Sequence, residues 1–186
     1  MAHPTEEGEL KIKRALRFLR GSPTCTWNFE WQDPVKVLTG FSDSDWAGCA
    51  KTRRSTSGGG IMAGSHLLTH WSRTQTCVAL SSGEAELNGM LKCASEGLML
   101  KYLMQEVGLG MDLHLRGDSS AAQGTLQRIG SGRVKHIETR QLWLQEKIQN
   151  GLVKVFKIPR SQNWADTLTH AWVPVDKKHF ANMGLD

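Results

Sequence analysis

Four carboxylates in this chain stand where a folded α/β protein places its chemistry. Asp43 ends one strand-like run and Asp118 ends another, while Glu86 lies in the first turns of a helix-like segment and Asp166 in the last one. In open α/β sheets, ligands collect beyond the carboxyl ends of the strands. Asp43 and Asp118 can therefore share one site if their strands are parallel neighbours, about 5 Å apart. Converging carboxylates repel one another unless a cation neutralises them. Hard oxygen donors without a nearby His or Cys favour magnesium or manganese over zinc. Each residue also has a plain structural reading: a strand-end Asp forms turns or caps helices, Glu86 fits a solvated helix surface, and Asp166 suits a first helical turn. Spacing alone leaves both readings open. Asp45 stays open as well, since positions i and i+2 on a strand share a face.

Two groups of donors accompany the acids. Arg53, Arg54, Ser55, Thr56 and Ser57 follow the first acidic run closely, a composition that suits phosphate contacts or a solvated hairpin loop equally well. Lys135, His136 and Arg140 fall on one predicted helix, with 136 and 140 one turn apart.

The elements that must position these residues are legible from pattern. Residues 1–34 read as an arm: a basic amphipathic helix over Glu6–Arg20, the breaker Gly21-Ser22-Pro23, then an alternating strand from Cys25 to Trp31. Val35–Ser42 reads as a buried strand. Gly59–Ala63 and Leu67–Ser72 follow as a hairpin about Gly64-Ser65, giving three antiparallel strands in succession. Ser81 and Glu84 form a capping box. They open a long helix whose apolar positions run from Leu87 through Leu98 to Leu103 and Val107, and Gly108 closes it. Glu84 and Glu86 point about 200° apart on such a helix, so Glu84 belongs to the cap and leaves Glu86 for chemistry. A strand over Met111–Arg116, a short helix to Gln127, a helix over Lys135–Gln149, a strand over Leu152–Ile158 and a final helix over Asn163–His170 complete the order β-β-β-α-β-α-α-β-α. Consecutive strands followed by crossovers imply a mixed five-stranded sheet with helices on its faces, an α/β fold.

The bulk numbers agree with one globular domain and an appended arm. The chain has 186 residues, 39% of them hydrophobic, and a net charge of +5 that by itself selects no partner. Its apolar runs are far below the ~20 residues of a membrane span, and the N-terminus has no signal-peptide pattern. Four Cys without CxxC spacing point away from zinc and toward a reducing compartment. The seven Trp are expected mostly in the core, including Trp46 and Trp164 as walls of the acidic site.

Several ordered blocks go further. Phe41-Ser42-Asp43-Ser44-Asp45-Trp46-Ala47-Gly48-Cys49 with Thr52-Arg53-Arg54-Ser55-Thr56-Ser57-Gly58 resembles the opening of the ribonuclease H domain in Pol polyproteins of copia-type LTR retrotransposons. Val78-Ala79-Leu80-Ser81-Ser82-Gly83-Glu84-Ala85-Glu86-Leu87, Gly117-Asp118-Ser119-Ser120-Ala121, Val134-Lys135-His136-Ile137-Glu138 and Trp164-Ala165-Asp166-Thr167-Leu168-Thr169 are similar to its later blocks, in order. Lys13 to Gly21 resembles the segment that joins the reverse transcriptase to this domain, so the resemblance covers roughly residues 9 to 172.

The resemblance implies a ribonuclease H-like fold and cleavage of the RNA strand of RNA–DNA hybrids with two magnesium ions, manganese being a substitute. It places the acidic quartet on Asp43, Glu86, Asp118 and Asp166, and prefers Asp43 over Asp45. Arg53, Arg54, Ser55, Thr56, Lys135, His136 and Arg140 become candidates for hybrid contacts. The implied organisation is an arm over 1–34, a ribonuclease H-like domain over 35–172 and a tail over 173–186. The implied partners are the hybrid and the reverse transcriptase of the same polyprotein, with no membrane. The setting would be intracellular, in a cytoplasmic particle or the nucleus. The alternative is a catalytically silent module of the same fold with a structural or nucleic-acid-binding role. Departures are few: the stretch from Ile158 to Trp164 lacks the mobile His common in ribonucleases H, Ser119 replaces the usual Asn, and the polymerase aspartate motif is absent. His136 and His170 are the candidates to stand in for the missing His.

Overall fold

The computed structural model describes residues 5–128, 139–171, 179, 181, 183 and 184. Five strands form one sheet in the order β3-β2-β1-β4-β5: β1 (Val37–Ser44), β2 (Thr56–Ala63), β3 (His66–Thr74), β4 (Asp112–Gly117) and β5 (Val153–Lys157). The β1–β2 and β2–β3 pairs are antiparallel, and the β1–β4 and β4–β5 pairs are parallel. The mixed five-stranded sheet expected from the pattern is therefore present. The first strand runs two residues further than read from sequence, so Asp43 is a ladder residue opposite Gly58 and does not lie past the strand end.

Adjacent residues of β1 point to opposite faces, and each face has its own core. Leu38, Ile61, Leu113 and Leu115 meet the helices α2 (Ser82–Glu106), α3 (Ser120–Leu126) and α4 (Thr139–Gln149) in the larger cluster. Phe41, Met62, Leu67 and Ile158 meet Trp164 and Ala165 in the smaller one. The long helix begins as its cap residues dictate: Ser81 Oγ accepts the Glu84 amide at 3.2 Å, and Glu84 accepts the Leu80 amide at 2.8 Å. Its expected apolar stripe is buried only as far as Leu98. Leu103 and Val107 are exposed, and in the last turns Leu100 and Met104 pack partly against the core.

Three further expectations are corrected. The stretch from Cys25 to Trp31 contains an isolated bridge at Trp27 and no strand. It is held instead by side chains: Trp27 packs with tilted rings against His70, Phe29 meets His66 edge-on, and Gln32 bonds the Ala63 carbonyl and the Ser65 amide. The final helix is two short 3-10 turns, Arg160–Gln162 and Trp164–Leu168. There the amides of Asp166 and Thr169 donate three residues back, and Thr167 Oγ1 donates to the Trp164 carbonyl. Among the described tryptophans only Trp71 and Trp164 are buried, whereas Trp46 is 56% exposed and donates its Nε1 proton to the Ala79 carbonyl. One hydrogen bond satisfies that indole without burying it. The N-terminal helix α1 (Glu6–Gly21) has no buried residue and carries the i,i+4 pairs Glu7–Lys11 and Glu9–Lys13.

Candidate active site

The topology brings three of the four acids together. β1 and β4 are parallel neighbours, in register from Val37 opposite Asp112 to Phe41 opposite Arg116, so Asp43 and Asp118 emerge at the same end of the sheet. Asp118 follows β4 directly, and it is Ser119 that caps α3 by accepting the Ala122 amide at 3.2 Å. The capping role open to Asp118 is thus taken by its neighbour. Glu86 arrives from the first turns of α2, which lies close on β1 because Gly89 permits it: a Cβ there would stand 2.8 Å from Ser42 Oγ. Asp43, Glu86 and Asp118 each offer a carboxylate oxygen, and these oxygens lie within 4.8 Å of one another.

The acids of the cluster repel one another, and the charge of Arg160 opposes only part of that repulsion. Glu86 is pushed up to about 8, mainly by burial and then by the charges of Asp43 and Asp118, against the Ser44 amide that donates to it. Asp43 is pushed up to about 6, again mainly by burial; the Thr169 hydrogen bond opposes the shift, while Asp166 and Asp118 add to it. Carboxyls raised together by burial and by one another mark a candidate functional site. All-oxygen donors at this separation suit a hard divalent cation.

Asp166 takes a different partner. It sits in the 3-10 turn that packs on β2, where Gly58 leaves room: a Cβ on Gly58 would lie 2.8 Å from the Ala165 carbonyl oxygen. Its Oδ1 accepts from Arg160 Nη2 at 2.9 Å, and it is not one of the three acids whose oxygens converge. Thr169 Oγ1 stands 2.9 Å from Asp43 Oδ2 and 2.8 Å from the Asp166 carbonyl, tying the turn to the cluster. Asn163, fully buried, donates to the Ser42 carbonyl at 3.0 Å and anchors the same turn on β1. Behind Glu86, Gln75 Nε2 lies 2.8–2.9 Å from Ser44 Oγ, Ser57 Oγ and the Ala85 carbonyl. Sequence reasoning missed Arg160, Thr169, Asn163 and Gln75. Arg160 and Asn163 were visible only as the residues standing where a His was expected.

The remaining candidates separate. Arg53 and Arg54 are exposed in the loop between β1 and β2, Arg53 with φ of 56°. Ser55 is fully buried and accepts the Ala47 amide at 3.0 Å, so it shapes that loop and has no surface for a ligand. Thr56 is half-buried; its amide donates to Asp45 Oδ1. Asp45 is thereby turned into the loop and away from the cluster. Arg140 is exposed and, with Thr139, Arg73, Lys92 and Trp143, lines a groove of about 620 Å³ between β3, α2 and α4. Lys135 and His136 lie outside the described residues. His170 is exposed at the end of the second turn.

No family model matches the chain. It is 32% identical over 179 residues, 95% of its length, to the retrovirus-related Pol polyprotein from transposon TNT 1-94 of Nicotiana tabacum. It is 29% identical over 185 residues, 98% of its length, to that from transposon RE1 of Arabidopsis thaliana. The chain spans only 13% and 12% of those two proteins. Among solved structures it is similar to a ribonuclease H1 (LC11) isolated from compost by a metagenomic approach. The TM-score is 0.50 and the identity 18%, over 72% of this chain and 93% of that one. At that identity the likeness establishes the fold. The shared fold and the near full-length similarity converge: the chain corresponds to a ribonuclease H-fold segment of the retrovirus-related Pol polyproteins of copia-type transposons.

Proposed function

We propose that the chain is an endoribonuclease that hydrolyses the RNA strand of RNA–DNA hybrids. The observation that carries this reading is the convergence of Asp43, Glu86 and Asp118 at the carboxyl ends of the central strands of a ribonuclease H-fold sheet, with oxygens within 4.8 Å of one another. Asp43, Glu86, Asp118 and Asp166 would hold two divalent cations, magnesium or manganese. Bound there, the ions would supply positive charge to the phosphodiester and lower the pKa of bound water toward neutrality. The protein's own part is placement. β1 and β4 hold two carboxylates side by side, α2 delivers the third, and Thr169 and Asn163 hold the turn that carries the fourth. Water adds to phosphorus as the bond to the 3′ oxygen breaks, leaving a 3′-hydroxyl and a 5′-phosphate.

Recognition would be blind to sequence, through phosphates and the 2′-hydroxyls of an A-like duplex. Arg53 and Arg54, exposed in the loop after β1, would contact one strand, and Arg140, at the groove beside α2, the other. The same reading makes 35–172 the nuclease domain between an arm and a tail. It gives the chain a reverse transcriptase as neighbour in the polyprotein, acting in a cytoplasmic particle or the nucleus. Among the described residues no helix is long and apolar enough to cross a membrane.

The test is cleavage of a labelled hybrid by the purified chain with and without magnesium. The expected result is magnesium-dependent cutting of the RNA strand that Asp43→Asn and Asp118→Asn each abolish. Folded double variant that still cuts overturns the assignment. Salt-sensitive binding without cutting by the wild type favours a silent nucleic-acid-binding module instead.

A further inference from the structure

Four carboxylates gather at this end of the sheet, yet only three converge. The fourth, Asp166, is engaged by Arg160 at 2.9 Å. The geometry of the pair is unequal: Asp166 is largely covered, at 21% side-chain exposure, whereas Arg160 is 76% exposed. Asp166 is also held by its backbone, since its amide donates to the Asn163 carbonyl and its own carbonyl receives the Thr169 amide. Asn163, the residue between the two turns, and Trp164, which opens the second, are fully buried or nearly so. The backbone that carries the carboxylate is therefore held, while the guanidinium lies mostly in solvent. Arg160 opens the first turn directly after Pro159, six residues before its partner Asp166. Its positive charge is felt beyond its partner, since it also interacts with Asp43 and Asp118.

We infer that Arg160 is a built-in counter-ion of the carboxylate site, occupying Asp166 until a divalent cation takes that carboxylate. The inference rests on the reading of the acids as a cation site. In that role Arg160 is a positioning residue. It keeps Asp166 aligned and offsets part of the repulsion among the acids while no cation is bound. It must release Asp166 when one binds, which sets a threshold on the cation concentration needed to complete the site. An exposed ion pair has little net strength of its own, so the pair is easily exchanged for a divalent ion.

The experiment is calorimetric titration of the full chain with Mn2+ at fixed ionic strength, for the wild type, Arg160→Gln, Arg160→Lys, Asp166→Asn and the Arg160→Gln/Asp166→Asn double variant. Removing the competing charge should tighten Mn2+ binding about three- to tenfold in Arg160→Gln, and Arg160→Lys should stay near the wild type. In the Asp166→Asn background the Arg160→Gln change should add less than twofold, because the competition acts through that carboxylate. Affinity that is unchanged or weaker in Arg160→Gln overturns the inference while leaving the cation site intact. Wild type that binds no Mn2+ overturns the cation-site reading itself, and the inference with it. Arg160 is mostly solvent-exposed, and far-UV circular dichroism of each variant confirms that the comparison is made on folded protein.

Discussion

Thr169 reaches Asp43 across 126 residues of sequence, its Oγ1 2.9 Å from the Oδ2 of that buried carboxylate. This hydroxyl joins the last turn to the central strand and bears directly on the charge of the site, since it favours the ionised form of Asp43 against the burial that disfavours it. Thr169→Val keeps the shape and removes the donor. It should destabilise the chain by about 1–2 kcal/mol, the cost of an unsatisfied buried acceptor, and slow hybrid cleavage about tenfold, with Thr169→Ser restoring most of both. Urea denaturation and initial cleavage rates check the pair.

Neutralising the cluster should separate stability from cation response. Asp118→Asn removes one of three mutually repelling carboxylates, so in EDTA the variant should melt no lower than the wild type. The rise in Tm that magnesium produces in the wild type should shrink to under a third. Thermal scans with and without the ion show this, and a variant that melts lower in EDTA but keeps its magnesium response contradicts it.

The pH dependence follows from the sign of the shifts. Glu86 rises from 4.5 to about 8 and Asp43 from 3.8 to about 6, both above their unfolded values. The folded state therefore holds its protons longer, and the associated stability is complete below about pH 4 and lost as pH rises through 6 and 8. Each group contributes a slope of at most about 1.4 kcal/mol per pH unit. Without divalent cations, stability from these groups should fall between pH 4 and 8, and Glu86→Gln should flatten the fall above pH 6. Denaturation curves across that range, in EDTA, give the measurement.

Gln75 supports the site from behind. It is buried, and its Nε2 faces three oxygens on β1, β2 and α2. Gln75→Leu leaves those acceptors without their shared donor, for a loss of about 2–3 kcal/mol. It should lower cleavage more than it changes hybrid affinity, because the N-terminal turns of α2 carry Glu86. Single-turnover rates set against fluorescence anisotropy distinguish the two effects.

Gly89 sets the approach of α2 to β1. A methyl group there meets Ser42 Oγ at 2.8 Å, so Gly89→Ala should cost about 1–3 kcal/mol through overpacking, despite the better helix propensity of Ala. It should also weaken Mn2+ binding by shifting Glu86, as a calorimetric titration would show.

Much of this protein is written in short-range pattern. The Ser81 cap, the hairpin about Gly64, the strand leading to Asp118 and the helical stripe through Leu98 depend on neighbours a few residues apart, and all are present in the fold. The order of those elements was enough to imply the mixed sheet, and the ordered blocks were enough to indicate the resemblance. Where the pattern misled, the deciding partner was distant. The stretch about Trp27 alternates like a strand yet is held by ring contacts to His66 and His70 on β3. Trp46 remains exposed although Trp164 is buried, because one lies on a loop and the other on a turn packed over Phe41.

The site divides along the same line. By itself the sequence determined which carboxylates stand at strand ends and in the first turns of a helix, since local periodicity sets those places. Only the tertiary structure decided that Asp43, Glu86 and Asp118 meet, that Asp166 is held by Arg160, and that Thr169 and Gln75 brace the cluster. Strand order, the close approach of α2 and the tight last turn fix those distances. They arise from packing on two faces of one sheet, which no run of neighbouring residues encodes.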